Sequence, residues 1–132
     1  MIYLCGGIAG LTDEQCTDWR EYAKKQFLIR GIRCLDPMVR DYRGLEDEKW
    51  SEIVSLDERD IRSSTGLLVN ATKPSWGTAM EMQMAYDLCK PIVSWVGDTE
   101  VVSPWVKHRS QMVSSQIDSC IEWCSWLLKD VL

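Results

Sequence analysis

The stretch Gly66-Leu67-Leu68-Val69-Asn70-Ala71-Thr72-Lys73-Pro74-Ser75-Trp76-Gly77-Thr78-Ala79-Met80-Glu81 decides the fold class. Residues 66–69 are apolar without alternation, the pattern of a strand covered on both faces, as in a parallel sheet. Asn70 to Gly77 concentrates turn-forming residues and reads as a loop. A helix is expected from about Thr78 to Cys89, and Pro91 to Val96 is a second apolar run, hence another buried strand. No Asn-Gly hairpin signal separates these elements, so the two strands are expected to run parallel.

Working outward, the same alternation continues. Ile2 to Cys5 is a short apolar run ending at Gly6-Gly7 and reads as the first strand. Thr12-Asp13-Glu14-Gln15 has the form of a capping box, followed by Cys16, Trp19, Ala23 and Phe27 at helical spacing, with Gly31 as the stop. Ile32 to Leu35 is a second strand, and residues 38–48 are polar and aperiodic, the pattern of a loop. Trp50, Ile53, Val54, Asp57 and Ile61 share one helical stripe in which the Asp is the odd member. Beyond Val96 come a loop, a short helical turn at Pro104-Trp105, a short strand at Gln111 to Val113, and a last helix carrying Ile117, Cys120, Ile121, Cys124, Leu127 and Leu128. This order predicts an α/β, doubly wound fold of about five parallel strands with helices on both faces, formed by residues 1–132 as one domain. In such sheets a ligand sits beyond the carboxyl ends of the strands. The polar and glycine-rich loops after all four leading strands lie on that edge.

Composition narrows the function classes. The 132 residues are 45 % hydrophobic and 27 % charged, a globular balance. Lys plus Arg is 15 against 20 Asp plus Glu, a net charge of −5 without a basic stripe, which argues against a nucleic acid polymer as partner. No run approaches the roughly 18 apolar residues of a membrane span, and the start MIYLCGG lacks the basic region of a signal peptide. Of the six cysteines, Cys5, Cys16, Cys34 and Cys89 fall in apolar strand or helix positions and are expected as buried thiols. With one His, and Cys120 and Cys124 the only close pair, no metal site is expected, and the compartment is expected to be reducing and cytoplasmic. Seven Trp exceed what one small core needs, so some are expected in a pocket or a subunit interface.

Several residues stand out by position alone. Glu81 lies in an apolar setting near the start of a helix, where the dipole favours its ionised form. It is either a helix-start carboxylate or a catalytic one. Asp60, in Glu58-Arg59-Asp60, is either part of a solvated charged face or a second carboxylate; two acids near one pocket suit glycosidic chemistry. Gly6-Gly7-Ile8-Ala9-Gly10 is a tight turn that lets backbone amides approach an anion, but it matches neither a dinucleotide fingerprint nor a P-loop. Ser75 and Gly77 precede a helix N-terminus suited to phosphate or hydroxyl recognition. Tyr3 is a core tyrosine or a hydroxyl aimed at a carboxylate, and Arg40, Tyr42 and Arg43 are solvated or cover a base or phosphate.

Taken together, these segments resemble the nucleoside 2-deoxyribosyltransferase superfamily, which includes the nucleoside 5′-monophosphate N-glycosidases. The residues that carry the resemblance are Ile2-Tyr3-Leu4-Cys5-Gly6-Gly7-Ile8, Leu35-Asp36-Pro37-Met38, Asp41-Tyr42-Arg43-Gly44, Glu58-Arg59-Asp60-Ile61 and Leu68-Val69-Asn70. They continue with Pro74-Ser75-Trp76-Gly77-Thr78-Ala79-Met80-Glu81, Lys90-Pro91-Ile92-Val93 and Ser103-Pro104-Trp105. The resemblance implies a flavodoxin-like sandwich, a homodimer or larger, and no cofactor. It makes Glu81 the nucleophile that forms a glycosyl-enzyme intermediate, Tyr3 the residue that orients it, and Asp60 the second acid. Gly6, Gly7, Ile8 and Ser75 correspond to 5′-phosphate contacts, and Ser103 to a residue reaching in from a neighbouring subunit. Asp36, Met38, Arg40, Asn70 and Gly77 count with them as expected substrate contacts. Classical nucleoside transferases carry an Asp where this chain has Ser75, which favours a 5′-phosphorylated substrate. Monophosphate hydrolases often have Ser-x-Arg where this chain has Gly7-Ile8-Ala9. The expected activity is cleavage of the N-glycosidic bond of a (deoxy)nucleoside 5′-monophosphate. Base exchange on deoxyribose and a non-catalytic nucleotide-binding module are the alternatives.

Overall fold

A capping box opens the first helix as its sequence requires. In the computed structural model, which describes residues 1–129, the Gln15 amide donates to the Thr12 hydroxyl at 3.2 Å and the Thr12 amide to the Gln15 side chain at 3.0 Å. Gly31, at φ +74°, supplies the left-handed residue just past the helix end. The elements follow in the order β1 (Ile2–Gly6), α1 (Asp13–Ile29), β2 (Cys34–Leu35), a 3₁₀ turn (Pro37–Val39), α2 (Glu46–Ser63), β3 (Gly66–Asn70), α3 (Trp76–Asp87), β4 (Ile92–Trp95), α4 (Pro104–Arg109), β5 (Met112–Ser114) and α5 (Ile117–Lys129).

The strands form one sheet in the order β2-β1-β3-β4-β5, and every pairing is parallel. From β1 the chain moves outward to β2 and then returns across β1 to β3, so the strand order reverses between β1 and β3. That is the switch point where ligands bind in open α/β sheets. In register, Gly6 lies beside Asn70 there.

The sheet is covered on both sides. Ile2, Leu4, Leu68 and Val93 pack with Trp19, Ala23 and Phe27 of α1 and Cys120, Ile121 and Cys124 of α5. Tyr3, Cys5, Leu67, Val69 and Ile92 pack with Ile61 of α2 and Met82 and Ala85 of α3. The two-residue period of β1 thus sends Tyr3 and Cys5 to the α2–α3 side. No helix among the described residues is long and apolar enough to cross a membrane.

Four expectations need correction. The 38–48 segment is not all loop: Pro37–Val39 is a 3₁₀ turn and α2 starts at Glu46, with a kink at Lys49. α3 starts at Trp76 rather than Thr78, because Ser75 caps it. It ends at Asp87, and Cys89 is exposed at φ +58° instead of buried. In α2, Trp50 and Val54 are 68 % and 53 % exposed, so the apolar stripe is covered only toward Ile61.

Candidate active site

Ser75 sets the position of everything on α3. Its hydroxyl accepts from the Thr78 amide at 3.3 Å and starts the helix two residues earlier than the apolar pattern suggests. Glu81 therefore lies in the second turn, where the dipole acts more weakly than in the first. The helix points its carboxylate at β1. There the Tyr3 hydroxyl donates to one oxygen, Oε2, and the Cys5 thiol approaches Oε1 at 3.8 Å.

The electrostatics follow from that enclosure. Burial pushes the Glu81 carboxyl from its ordinary 4.5 up to about 7; the negative charge of Asp57 adds to the rise, while the Tyr3 hydrogen bond and the charge of Arg20 oppose it. A carboxylate fully ionised at neutral pH, expected from the dipole alone, gives way to one poised between its two forms. Tyr3 is raised far above the usual phenol range, chiefly by burial and then by the Glu81 charge, so it remains a donor.

The second acid differs from the expected one. Asp60 is 4 % exposed, with one oxygen 2.7 Å from Arg40 and the other 3.3 Å from Arg59. Asp57, one turn earlier on α2, bonds Arg40 at 3.1 Å and is the carboxylate whose charge acts on both Glu81 and Tyr3. Burial raises its own pKa. Arg40 is therefore neither solvated nor free to cover a phosphate: it ties Asp57 to Asp60. Arg43 is likewise engaged, by Asp41 and Asp13.

The remaining expected contacts divide into two groups. Gly7, Asn70, Ser75 and Gly77 line one cavity at the switch point. Gly6 is required there by close approach, since a Cβ would come within 2.7 Å of the Trp19 ring. Ile8 turns its carbonyl to the Leu11 amide, and the Asn70 side chain caps Thr72. Asp36 is committed elsewhere: Lys24 at 2.7 Å, Arg20 at 3.5 Å and the Met38 amide at 2.9 Å engage its oxygens. Met38 accordingly serves the 3₁₀ turn. Ser103 caps α4 through the Trp105 amide and lines a different cavity, beyond the 72–76 loop.

Arg20 is the residue that spacing overlooked. It is fully buried, donates to the Gly6 carbonyl at 2.9 Å and the Cys16 carbonyl at 2.7 Å, and places a positive charge behind the glycine turn. Its position, four residues after Cys16, falls in the buried stripe of α1 and was the available signal.

A carboxylate held by a tyrosine hydroxyl at the switch point of a parallel sheet is equipped to attack an electron-poor carbon. Comparison with known proteins bears on this geometry. No curated protein matches the chain. The 2-deoxyribosyltransferase of the psychrotolerant bacterium Bacillus psychrosaccharolyticus superposes with a TM-score of 0.73 at 16 % identity, covering 89 % of this chain and 88 % of that one. The CMP N-glycosidase of Clostridium botulinum superposes with a TM-score of 0.63 at 13 % identity, covering 93 % and 96 %. At such identities the likeness is one of fold. The model of the family described as nucleoside 2-deoxyribosyltransferase, however, matches residues 2–122, from the strand that carries Tyr3 into the final helix. By that match the chain belongs to the nucleoside 2-deoxyribosyltransferase family.

Proposed function

We propose that this protein cleaves the N-glycosidic bond of a (deoxy)nucleoside 5′-monophosphate, with Glu81 as nucleophile. The observation that carries the reading is the Tyr3–Glu81 hydrogen bond at the β1–β3 switch point. In its ionised form Glu81 bonds to the anomeric carbon as the carbon–nitrogen bond breaks, and the base leaves with that electron pair. Water then attacks the same carbon, releases the sugar phosphate and restores the carboxylate. Tyr3 fixes one oxygen of Glu81. Asp57, ion-paired to Arg40, takes the place expected of Asp60 as the second acid: its negative charge keeps Glu81 poised, and the departing base takes its proton from solvent. Gly7, Ser75 and the first turn of α3 offer amides and a hydroxyl to the 5′-phosphate.

Base exchange differs only in the second step, where a free base replaces water. Ser75 favours a phosphorylated substrate, because a hydroxyl at that loop position tolerates a phosphate that a carboxylate would repel. The protein acts as a homodimer or larger. Trp76, Met80, Val101 and Trp105 are 86 %, 67 %, 81 % and 70 % exposed around α3 and α4, a large apolar surface for a monomer. Ser103 lies at that surface and would serve a neighbour's site. Its six free cysteines suit a reducing, cytoplasmic setting.

Incubation with the four deoxynucleoside monophosphates and their ribonucleotide counterparts, with and without free bases, tests this reading. Base release from a monophosphate without an acceptor is expected. Exchange on unphosphorylated nucleosides alone would replace hydrolysis by transfer, and tight binding without turnover, unchanged in Glu81→Ala, would leave only a binding module. Light scattering at micromolar concentration reads the assembly; a mass of 15.2 kDa would sink the oligomer.

A further inference from the structure

Among the described residues, two side chains donate to the Glu81 carboxylate, Tyr3 to Oε2 and Cys5 to Oε1. They lie two residues apart on β1, so both point to the α2–α3 side, and Cys5 is the nearer to the carboxyl edge. The two bonds are unequal. A phenol hydroxyl bound to a carboxylate draws charge from the oxygen it holds, whereas a thiol is a weak donor and leaves its acceptor's electrons largely free. Of the two oxygens, Oε1 therefore keeps the greater nucleophilicity. The sulfur also has a second acceptor: it lies 3.8 Å from Oε1 and 3.8 Å from the Thr78 carbonyl, one turn before Glu81 on α3. A thiol has one proton and donates it to one of them at a time. Cys5 is fully buried, and burial together with the Glu81 charge holds its thiol well above the ordinary range, against the opposing charge of Arg20. The proton stays on sulfur, so Cys5 is a donor and not a rival nucleophile.

We propose that Cys5 is a positioning residue for the nucleophile: its S–H turns from the Thr78 carbonyl to Oε1 when Glu81 ionises and holds that oxygen for attack. The part assigned to the oxygen rests on the proposed activity, and the turn of the thiol does not. An ionised carboxylate is a stronger acceptor than a neutral carbonyl, and a protonated one gives the thiol back to Thr78. The groups that face Glu81 come from three elements: Tyr3 and Cys5 on β1, Asp57 on α2 with its partner Arg40, and Arg20 on α1.

Infrared difference spectra of a Cys89→Ser protein, which lacks the one exposed thiol, test this across about pH 5 to 9, a window centred on the Glu81 titration near 7. One S–H stretching band is expected to move to lower frequency as pH rises through 7, because its acceptor becomes charged. The movement disappears in Glu81→Gln, and the band itself in Cys5→Ala. In Cys5→Ala the Glu81 carboxyl band titrates about half a unit higher, since the ionised form has lost a weak donor. There kcat on the best monophosphate falls about 2-fold to 5-fold with KM unchanged, because Cys5 touches the carboxylate and not the substrate. A thiol that merely fills space would move neither band. An S–H band that ignores pH, or that moves equally in Glu81→Gln, overturns the inference, and these two proteins decide it even if Cys5→Ala fails to fold. A folded Cys5→Ala with the wild-type kcat and carboxyl midpoint overturns the positioning role. A band that follows Glu81 in a protein that cleaves no nucleotide keeps the turn of the thiol and sinks the proposed activity, and cleavage with a stationary band does the reverse.

Discussion

Alternate residues of β1 part ways. Ile2 and Leu4 enter a layer with α1 and α5 in which Phe27, Ile121 and Cys124 supply apolar contact. Tyr3 and Cys5 enter a layer with α2 and α3 whose upper end holds Glu81, and α2 adds Asp57 and Asp60 on the same side. The first layer stabilises by burial and close packing. The second keeps ionisable groups out of water beside one another, which raises the pKa values of Glu81 and Asp57 and stores electrostatic energy that chemistry can use. One strand, five residues long, therefore braces the fold with one edge and the proposed chemistry with the other.

The strongest way to break this contrast is Glu81→Gln. The variant is expected to fold but to lose base release by at least ~10³-fold, the equivalent of roughly 4 kcal/mol of transition-state stabilisation. Product formation by the purified variant is the measurement, and near-native turnover would end the nucleophile assignment. The same variant reads the stored energy. The folded Glu81 carboxyl titrates near 7, above its ordinary 4.5, so the native state binds more protons between those values. Wild-type stability should fall as pH rises through that window, and Glu81→Gln should remove this part of the fall, leaving it more stable than wild type at pH 8 but not at pH 4. Thermal melts across that range would show it.

On the other side of the sheet, Phe27→Ala is expected to cost about 3–4 kcal/mol of stability, the usual effect of emptying a buried aromatic site, while turnover per folded molecule holds. Denaturant unfolding with parallel assays checks both halves, and a variant that is stable but inactive would blur the two layers. Tyr3→Phe should lower turnover by about 10-fold to 100-fold, one hydrogen bond to a charged group. It should also move the ascending limb of the pH profile of kcat/KM, expected near 7, to higher pH, because the lost donor had favoured the ionised acid. Asp57→Asn is the smallest and sharpest test. Removing its negative charge should move that limb to lower pH, by less than a unit, and an unmoved limb would show that Asp57 does not act on Glu81.

Much of this was readable in the sequence because it depends on period and punctuation. The apolar runs at 66–69 and 91–96 and the capping box at Thr12 announce a parallel sheet with helical crossovers, and the five-stranded parallel sheet is what forms. Glu81 stood out as a charged residue in an apolar helix start, but position left it either a helix-start carboxylate or a catalytic one, and only the family resemblance made it the nucleophile. Asp57 was conspicuous in the same way, as the odd member of the apolar stripe of α2, but nothing in that stripe ranked it above Asp60. The two lie one turn apart on the same helix, and which faces Glu81 depends on how α2 leans on α3, a tertiary fact. Arg20 was hidden because a charged residue is assigned by habit to solvent, although its stripe is buried. Asp36 and Arg40 resembled ligand contacts in a loop. Their partners, Lys24 and Arg20 for one and Asp57 and Asp60 for the other, come from distant segments that only folding brings together.

The end of α3 has a practical consequence. Apolar spacing carries the helix on to Cys89, but Pro91 disfavours helical backbone at Lys90, so the chain turns out and Cys89 takes the left-handed conformation at φ +58°. Of the six thiols, four are buried and Cys34 is partly so, while Cys89 alone is exposed. Alkylating dyes should therefore modify the native protein at one place. Eight residues of mostly helical rise set that place roughly 12 Å along the axis from Glu81. A fluorophore attached there would report the occupancy of the opposite end of the helix without any change to the sequence.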